Sequence, residues 1–155
     1  MDVLIILGSK SDISVAEMVQ KVLDELGVDY QITIASAHRT PERVKELVKG
    51  TEAKVFVGIA GLSAALPGVI ASHTIKPVIG VPVSGKLNLD SVMSVLQMPQ
   101  GVPVGAVGLD NGVNAALLAA EILALGDKEL EGRLEAYRKK IKEKVLADAK
   151  SITSQ

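Results

Sequence analysis

Val3-Leu4-Ile5-Ile6-Leu7-Gly8-Ser9-Lys10-Ser11-Asp12 decides the fold. The run Val3 to Leu7 has no polar residue, so a strand formed there is covered on both faces, as in a parallel sheet. Gly8 lets the backbone turn tightly, and an amphipathic helix follows over roughly 13–26. Strand, turn and helix then recur along the chain. The pattern predicts strands over 30–35, 55–59, 78–81 and 104–107, with helices after Thr40 and over about 63–72, 89–97 and 113–125. A last amphipathic helix covers about 128–151. Apolar strands alternating with helices imply an α/β domain whose parallel sheet is covered on both sides.

Five such strands suggest the flavodoxin-like order 2-1-3-4-5, a three-layer α/β/α sandwich with one extra C-terminal helix. With 155 residues, 48% of them hydrophobic, the chain reads as a single domain over 1–155 with ample core. A net charge of -1 and 2% aromatic content leave no basic field or stacking platform for nucleic acid. Without cysteine there is no disulfide, thiolate catalysis or cysteine-bound zinc. The sequence shows no signal peptide or uninterrupted membrane span, so the expected location is the cytoplasm.

Chemistry enters at Ser36-Ala37-His38-Arg39-Thr40-Pro41, where the second strand gives way to a helix. Thr40 suits the N-cap and Pro41 the first helical position. Arg39 offers a bidentate fork to an anion, and His38 changes charge near neutral pH. In the first turn, Ser9 and Ser11 offer hydroxyls and Asp12 can accept from ribose hydroxyls. A plainer reading is a capped helix start, since Ser14 and Glu17 have capping-box spacing. Both turns would lie at one carboxyl edge of the sheet, where α/β proteins bind ligands. The pair points to a phosphorylated substrate undergoing proton transfer.

Further segments carry a family resemblance. GSKSD (8–12), SAHRTP (36–41), AGLSAALPG (60–68), PVIGVPV (77–83), LDSVMSVLQMPQGVPV (89–104) and NAALLAAEIL (114–123) occur in one family's order. The chain resembles the N5-carboxyaminoimidazole ribonucleotide mutases and aminoimidazole ribonucleotide carboxylases of purine biosynthesis. That resemblance implies a ribonucleotide substrate, carbon dioxide, no cofactor or metal, and a homo-octamer with sites at subunit junctions. It makes His38 the catalytic histidine, and Ser9, Asp12 and Arg39 substrate-binding positions. Ser11 and Ser36 match positions near phosphate and ribose, Gly61 lies in the segment lining the base and carboxylate pocket, and Ser63 belongs to the same loop.

The loop over 60–68 departs from the mutase form AGAGGAAHLPG, because the family's second histidine is Ala65 here. Ser63 and Ala65 agree better with the carboxylase form AGRSNALSG, whereas SAHRTP is the mutase form. Both subclasses therefore stay open. His73 reads as a cation near a helix C-terminus and Lys86 as a solvent-facing loop residue. The helix over 113–125 is apolar nearly all round, and the last helix needs something to pack on: its own domain or a neighbouring subunit. A receiver domain lacks its acceptor aspartate here, since Gly58-Ile59-Ala60-Gly61 ends the third strand. A flavin carrier lacks aromatic rings in its loops. A non-catalytic nucleotide-binding module would share Ser9, Asp12 and Arg39, and only His38 separates it from an enzyme.

Overall fold

The five runs read as strands form one parallel sheet in the computed structural model, which describes residues 1–153. The strands are β1 (Val3–Leu7), β2 (Tyr30–Ile34), β3 (Val55–Ala60), β4 (Val78–Pro82) and β5 (Gly105–Ala106), ordered β2-β1-β3-β4-β5. Between and after them run α1 (Ile13–Glu25), α2 (Pro41–Lys49), α3 (Leu66–Ser72), α4 (Asn88–Leu96), α5 (Gly112–Ala124) and α6 (Lys128–Thr153). Residues 154 and 155, part of the domain read from the sequence, lie outside the described residues.

The two-residue period of a strand divides the core. Val3, Ile5 and Leu7 join the cluster holding Val15, Val19, Ala116 and Leu130, so one face carries α1, α5 and the start of α6. Leu4 and Ile6 face the other way, towards Val44, Leu66, Ile70 and Val95 of α2, α3 and α4. This is the expected three-layer, flavodoxin-like sandwich. Gly58 and Gly80 pair across β3 and β4 and make room for the helices above them. A Cβ on Gly80 would lie 2.5 Å from Val95 Cγ1 and 3.1 Å from Pro67 Cβ.

Three local expectations need correction. The helix expected from residue 63 starts at Leu66, because the Ala65 amide donates to the Ser63 carbonyl at 2.7 Å and closes a turn first. That keeps residues 61–65 irregular at the end of β3. The fifth strand is two residues long, pairing with β4 through Ile79↔Gly105 and Gly80↔Ala106. The Ser14–Glu17 capping box does not open α1. A 3₁₀ turn over Lys10–Asp12 precedes it, capped by Ser9, and Asp12 stands at the N-cap of α1.

α5 is buried on more than one side, as its composition requires: Ala115, Ala116, Ala119 and Ala120 are fully buried in the core shared by the sheet, α1 and α6. The first half of α6 packs on its own domain through Leu130 and Leu134. Arg133 Nε also donates to the Leu26 carbonyl at 2.7 Å, and Lys140 pairs with Glu25 at 2.6 Å. Farther along, the apolar stripe is bare, with Ile141 46% and Val145 62% exposed.

Candidate active site

The strand order places the first two sequence motifs side by side. β1 lies between β2 and β3, so the turn after β1 is flanked by the loops that follow those two strands. All three loops leave the carboxyl edge of the sheet, where strand ends diverge into a crevice.

In the first loop, Ser9 Oγ accepts from the Ser11 amide at 3.2 Å and lies 2.9 Å from Ser11 Oγ. Ser11 in turn donates to Asp12 Oδ1 at 3.1 Å. Asp12 is 6% exposed, one of the few buried polar residues among those described. Burial pushes its carboxyl above the usual carboxylate range; hydrogen bonds from Ser11 and the Ser9 backbone, then the Arg39 charge, pull the other way.

The second loop is a tight turn. Thr40 Oγ1 accepts from the Ser36 amide at 2.9 Å and donates to the Ser36 carbonyl at 3.3 Å. Thr40 does occupy the N-cap of α2, but its hydroxyl bridges the loop instead of capping helix amides. The Ser36 hydroxyl accepts from Arg39 twice, from the amide at 3.2 Å and from Nε at 3.3 Å. Arg39 Nη2 reaches the Gly8 carbonyl at 3.3 Å and links the first two loops. His38 sits in the same turn, exposed, with no side-chain hydrogen bond to a described residue. Its ring is open to whatever fills the crevice.

That crevice is a cavity of about 510 Å³. Ser9, Ser11, Asp12, Ser36, His38, Arg39, Gly61 and Ser63 all line it, so every site residue read from the sequence meets there. Gly8, Ala37, Ala60, Leu62, Leu66 and Ser84 complete the wall. Ser84 went unread in the sequence, although it is the first polar residue after the apolar β4, as Ser36 closely follows β2. Its amide donates to Asp110 Oδ1 at 2.8 Å, and the Asp110 amide donates to the Pro82 carbonyl at 2.9 Å. Asp110 holds φ at 56°, a left-handed conformation that aspartate tolerates better than most residues. It thereby ties the loop after β4 to the loop after β5.

Ala65 occupies the N-cap of α3, is absent from the cavity wall and has no group that moves a proton. His73 is the C-cap of α3, at the far end of that helix from the cavity. Lys86 is exposed and outside the wall. Another cavity, of about 320 Å³, lies at the amino ends of the strands beside Asp2, Lys54 and Arg133; it has no histidine or hydroxyl in its wall. Among the described residues no group of three or more histidines and carboxylates converges as a metal site. Nor is any helix there long and apolar enough to cross a membrane.

The arrangement offers an arginine fork and hydroxyls for an anion, a buried acid beside them, and a histidine free to exchange a proton. Known proteins resemble this chain over nearly its whole length. The profile of AIR carboxylase matches residues 2–144. The chain belongs to the AIR carboxylase family. The match runs from β1 into α6 and takes in every loop of the cavity. Within this family, the N5-carboxyaminoimidazole ribonucleotide mutase of Methanocaldococcus jannaschii is 54% identical over 149 residues, covering 96% of this chain and 95% of that protein. The mutase of Pyrococcus horikoshii is 50% identical over 153 residues, 96% of this chain and 86% of that one. A crystal structure of Treponema denticola PurE superposes with a TM-score of 0.87 at 33% identity, covering 96% of each chain.

Proposed function

We propose that this chain is an N5-carboxyaminoimidazole ribonucleotide mutase of purine biosynthesis. The observation that carries the reading is His38 and Arg39 in one turn, on the wall of a cavity that also holds Ser9, Ser11 and Asp12. Relatives of nearly equal length bearing the mutase name support it.

In this reading Arg39, Ser9, Ser11 and Ser36 hold the ribose phosphate and Asp12 accepts from ribose hydroxyls. The carbamate of the substrate breaks its N–C bond and releases carbon dioxide, while His38 delivers a proton to the departing nitrogen. C4 of the resulting aminoimidazole, nucleophilic like an enamine carbon, bonds to the same carbon dioxide. His38 then takes the C4 proton, so the histidine ends as it began. Gly61 and Ser63 confine the carboxylate and carbon dioxide against the ring, where proximity replaces a second-order encounter. The catalytic unit is the single domain, working in the cytoplasm without a resident cofactor. It assembles as an octamer in which the bare half of α6 meets neighbouring subunits; light scattering at low concentration checks this, a fully active monomer being the contrary result.

A second reading, direct carboxylation of aminoimidazole ribonucleotide by dissolved carbon dioxide, is favoured by Ser63 and Ala65 in the loop after β3. Steady-state assays with both substrates, varying bicarbonate in the presence of carbonic anhydrase, decide between them. A mutase turns over the carbamate without added bicarbonate. Turnover only of aminoimidazole ribonucleotide plus carbon dioxide would assign the chain to direct carboxylation.

A further inference from the structure

The loop after β4 is pinned residue by residue. The Val83 amide donates to the Ala60 carbonyl at 2.9 Å. The Ser84 amide donates to Asp110 Oδ1 and the Gly85 amide to Asn88 Oδ1, both at 2.8 Å. Three consecutive amides are thus tied to three elements: the end of β3, the turn before α5 and the first residue of α4. Asp110 is anchored in turn, its amide on the Pro82 carbonyl at 2.9 Å and its carbonyl under the Gly112 amide at 3.0 Å.

On this fixed backbone the Ser84 hydroxyl makes no hydrogen bond to a described residue. Ser9, Ser11 and Ser36, on the same cavity wall, all bond to their neighbours. A hydroxyl carries one donor and two acceptor sites, and one held in place before a ligand arrives loses little freedom on binding it. Its position says which ligand group it meets. β1 and β3 separate β4 from β2, so Ser84 stands at the end of the cavity away from Arg39. It adjoins Gly61 instead: a Cβ on Gly61 would lie 3.7 Å from the Val83 carbonyl oxygen and 3.9 Å from Val83 Cβ. The wall contributed by these two loops, Ala60, Gly61, Leu62, Ser63 and Ser84, carries no charge, so an anion at this end depends on neutral donors.

Resting on the reaction assigned above, we propose that Ser84 is a further substrate-binding residue whose hydroxyl donates to the carboxylate on C4 of the imidazole, and that Asp110 is the positioning residue that holds it there. Asp110 lies outside the cavity wall and acts through the Ser84 amide. A donor at this point separates the carboxylated ribonucleotide from the one that has lost carbon dioxide, since only the first presents an anionic acceptor.

Calorimetric titration of the full chain with two ribonucleotides tests this: the C4-carboxylated product, and aminoimidazole ribonucleotide, which lacks only the carboxylate. Ser84→Ala should weaken the carboxylated ligand about tenfold and leave the other little changed. Asp110→Gly accepts the left-handed backbone but deletes the acceptor, and should reproduce that selective loss. Asp110→Asn accepts the same φ and keeps an oxygen for the Ser84 amide, so it should restore the discrimination. A merely structural Asp110 would lower the melting temperature of Asp110→Gly without moving the ratio of the two affinities. Equal weakening of both ligands in Ser84→Ala, or no change in either, overturns the carboxylate contact. An unaltered ratio in a folded Asp110→Gly protein overturns the positioning role. Wild-type chain that binds neither ribonucleotide refutes the assigned reaction and this proposal with it, a result distinct from tight binding of both that ignores Ser84.

Discussion

Replacing Arg39 by alanine and by lysine separates charge from fork. In the folded chain the guanidinium makes two side-chain bonds, both 3.3 Å long and exposed, to Ser36 Oγ and the Gly8 carbonyl. Bonds of this kind contribute about 0.5–1.5 kcal/mol at best, so either variant should fold with a small loss of stability. Binding is another matter. A hydrogen bond to a charged partner is worth about 1.5–3 kcal/mol, which predicts about a 10- to 150-fold weaker ribonucleotide complex for Arg39→Ala. Arg39→Lys keeps the attraction but cannot hold Ser36, Gly8 and a phosphate together, and should fall between. Phosphate is held alike in ground and transition states, so KM should rise with kcat little changed. The corresponding nucleoside, lacking phosphate, should be insensitive to either change. Steady-state kinetics and direct titration measure both effects. Ribonucleotide affinity within about twofold of wild type, in a folded Arg39→Ala protein, would refute the assignment of the phosphate to this arginine.

His38→Asn keeps a polar group of similar reach but removes the exchangeable proton; kcat should drop roughly 100-fold or more with affinity preserved, and near-normal kcat would take the histidine out of the mechanism. Asp12 has its carboxyl raised above the ordinary 3.8 by burial, so the folded chain binds this proton more tightly than the unfolded chain does. Its contribution to stability is complete below 3.8 and is lost as pH rises through the folded value. Asp12→Asn should therefore raise the melting temperature at neutral pH, with the gain vanishing in acid; a destabilised variant at neutral pH would contradict this. A Cβ on Gly112 would strike the Val15 carbonyl oxygen and lie 3.0 Å from Met18 Cβ, so Gly112→Ala pushes α5 off α1. The expected cost is about 1–3 kcal/mol, read from the urea midpoint, and an unmoved midpoint would mean the helices part without strain.

Most of the architecture was legible because it rests on local signals. Continuous apolar runs at 3–7, 55–60 and 78–82 admit only strands covered on both faces, and the observed sheet buries each of them completely. Where the reading slipped, a local pattern yielded to a competing bond. Ser63 lies just ahead of an apolar stretch, yet the Ala65 amide turns back to its carbonyl and delays α3 by three residues relative to the expected start. Ser14 and Glu17 have the spacing of a capping box, but the Ser9 turn had already supplied the helix entry. β5 is short because its pairing with β4 covers only Gly105 and Ala106, with one further bond from the Val107 amide to the Gly80 carbonyl at 3.2 Å.

The candidate site divides in the same way. Sequence alone named His38, Arg39, Ser36, Ser9, Ser11, Asp12, Gly61 and Ser63, since residue type and position at strand ends are local properties and the motifs are those of the family. It also determined the alternation of strand and helix that sends every one of these loops to the same edge. Tertiary structure alone decided the rest. It put Ser84 in the wall through a bond to Asp110, twenty-six positions away. It buried Asp12 and so displaced its proton equilibrium. It set the Arg43 guanidinium against the end of β2, on the Ile34 carbonyl and Thr33 Oγ1. Each of these depends on which strand neighbours which, and that is settled by burial and backbone pairing over the whole sheet, an energy no short stretch of the chain contains.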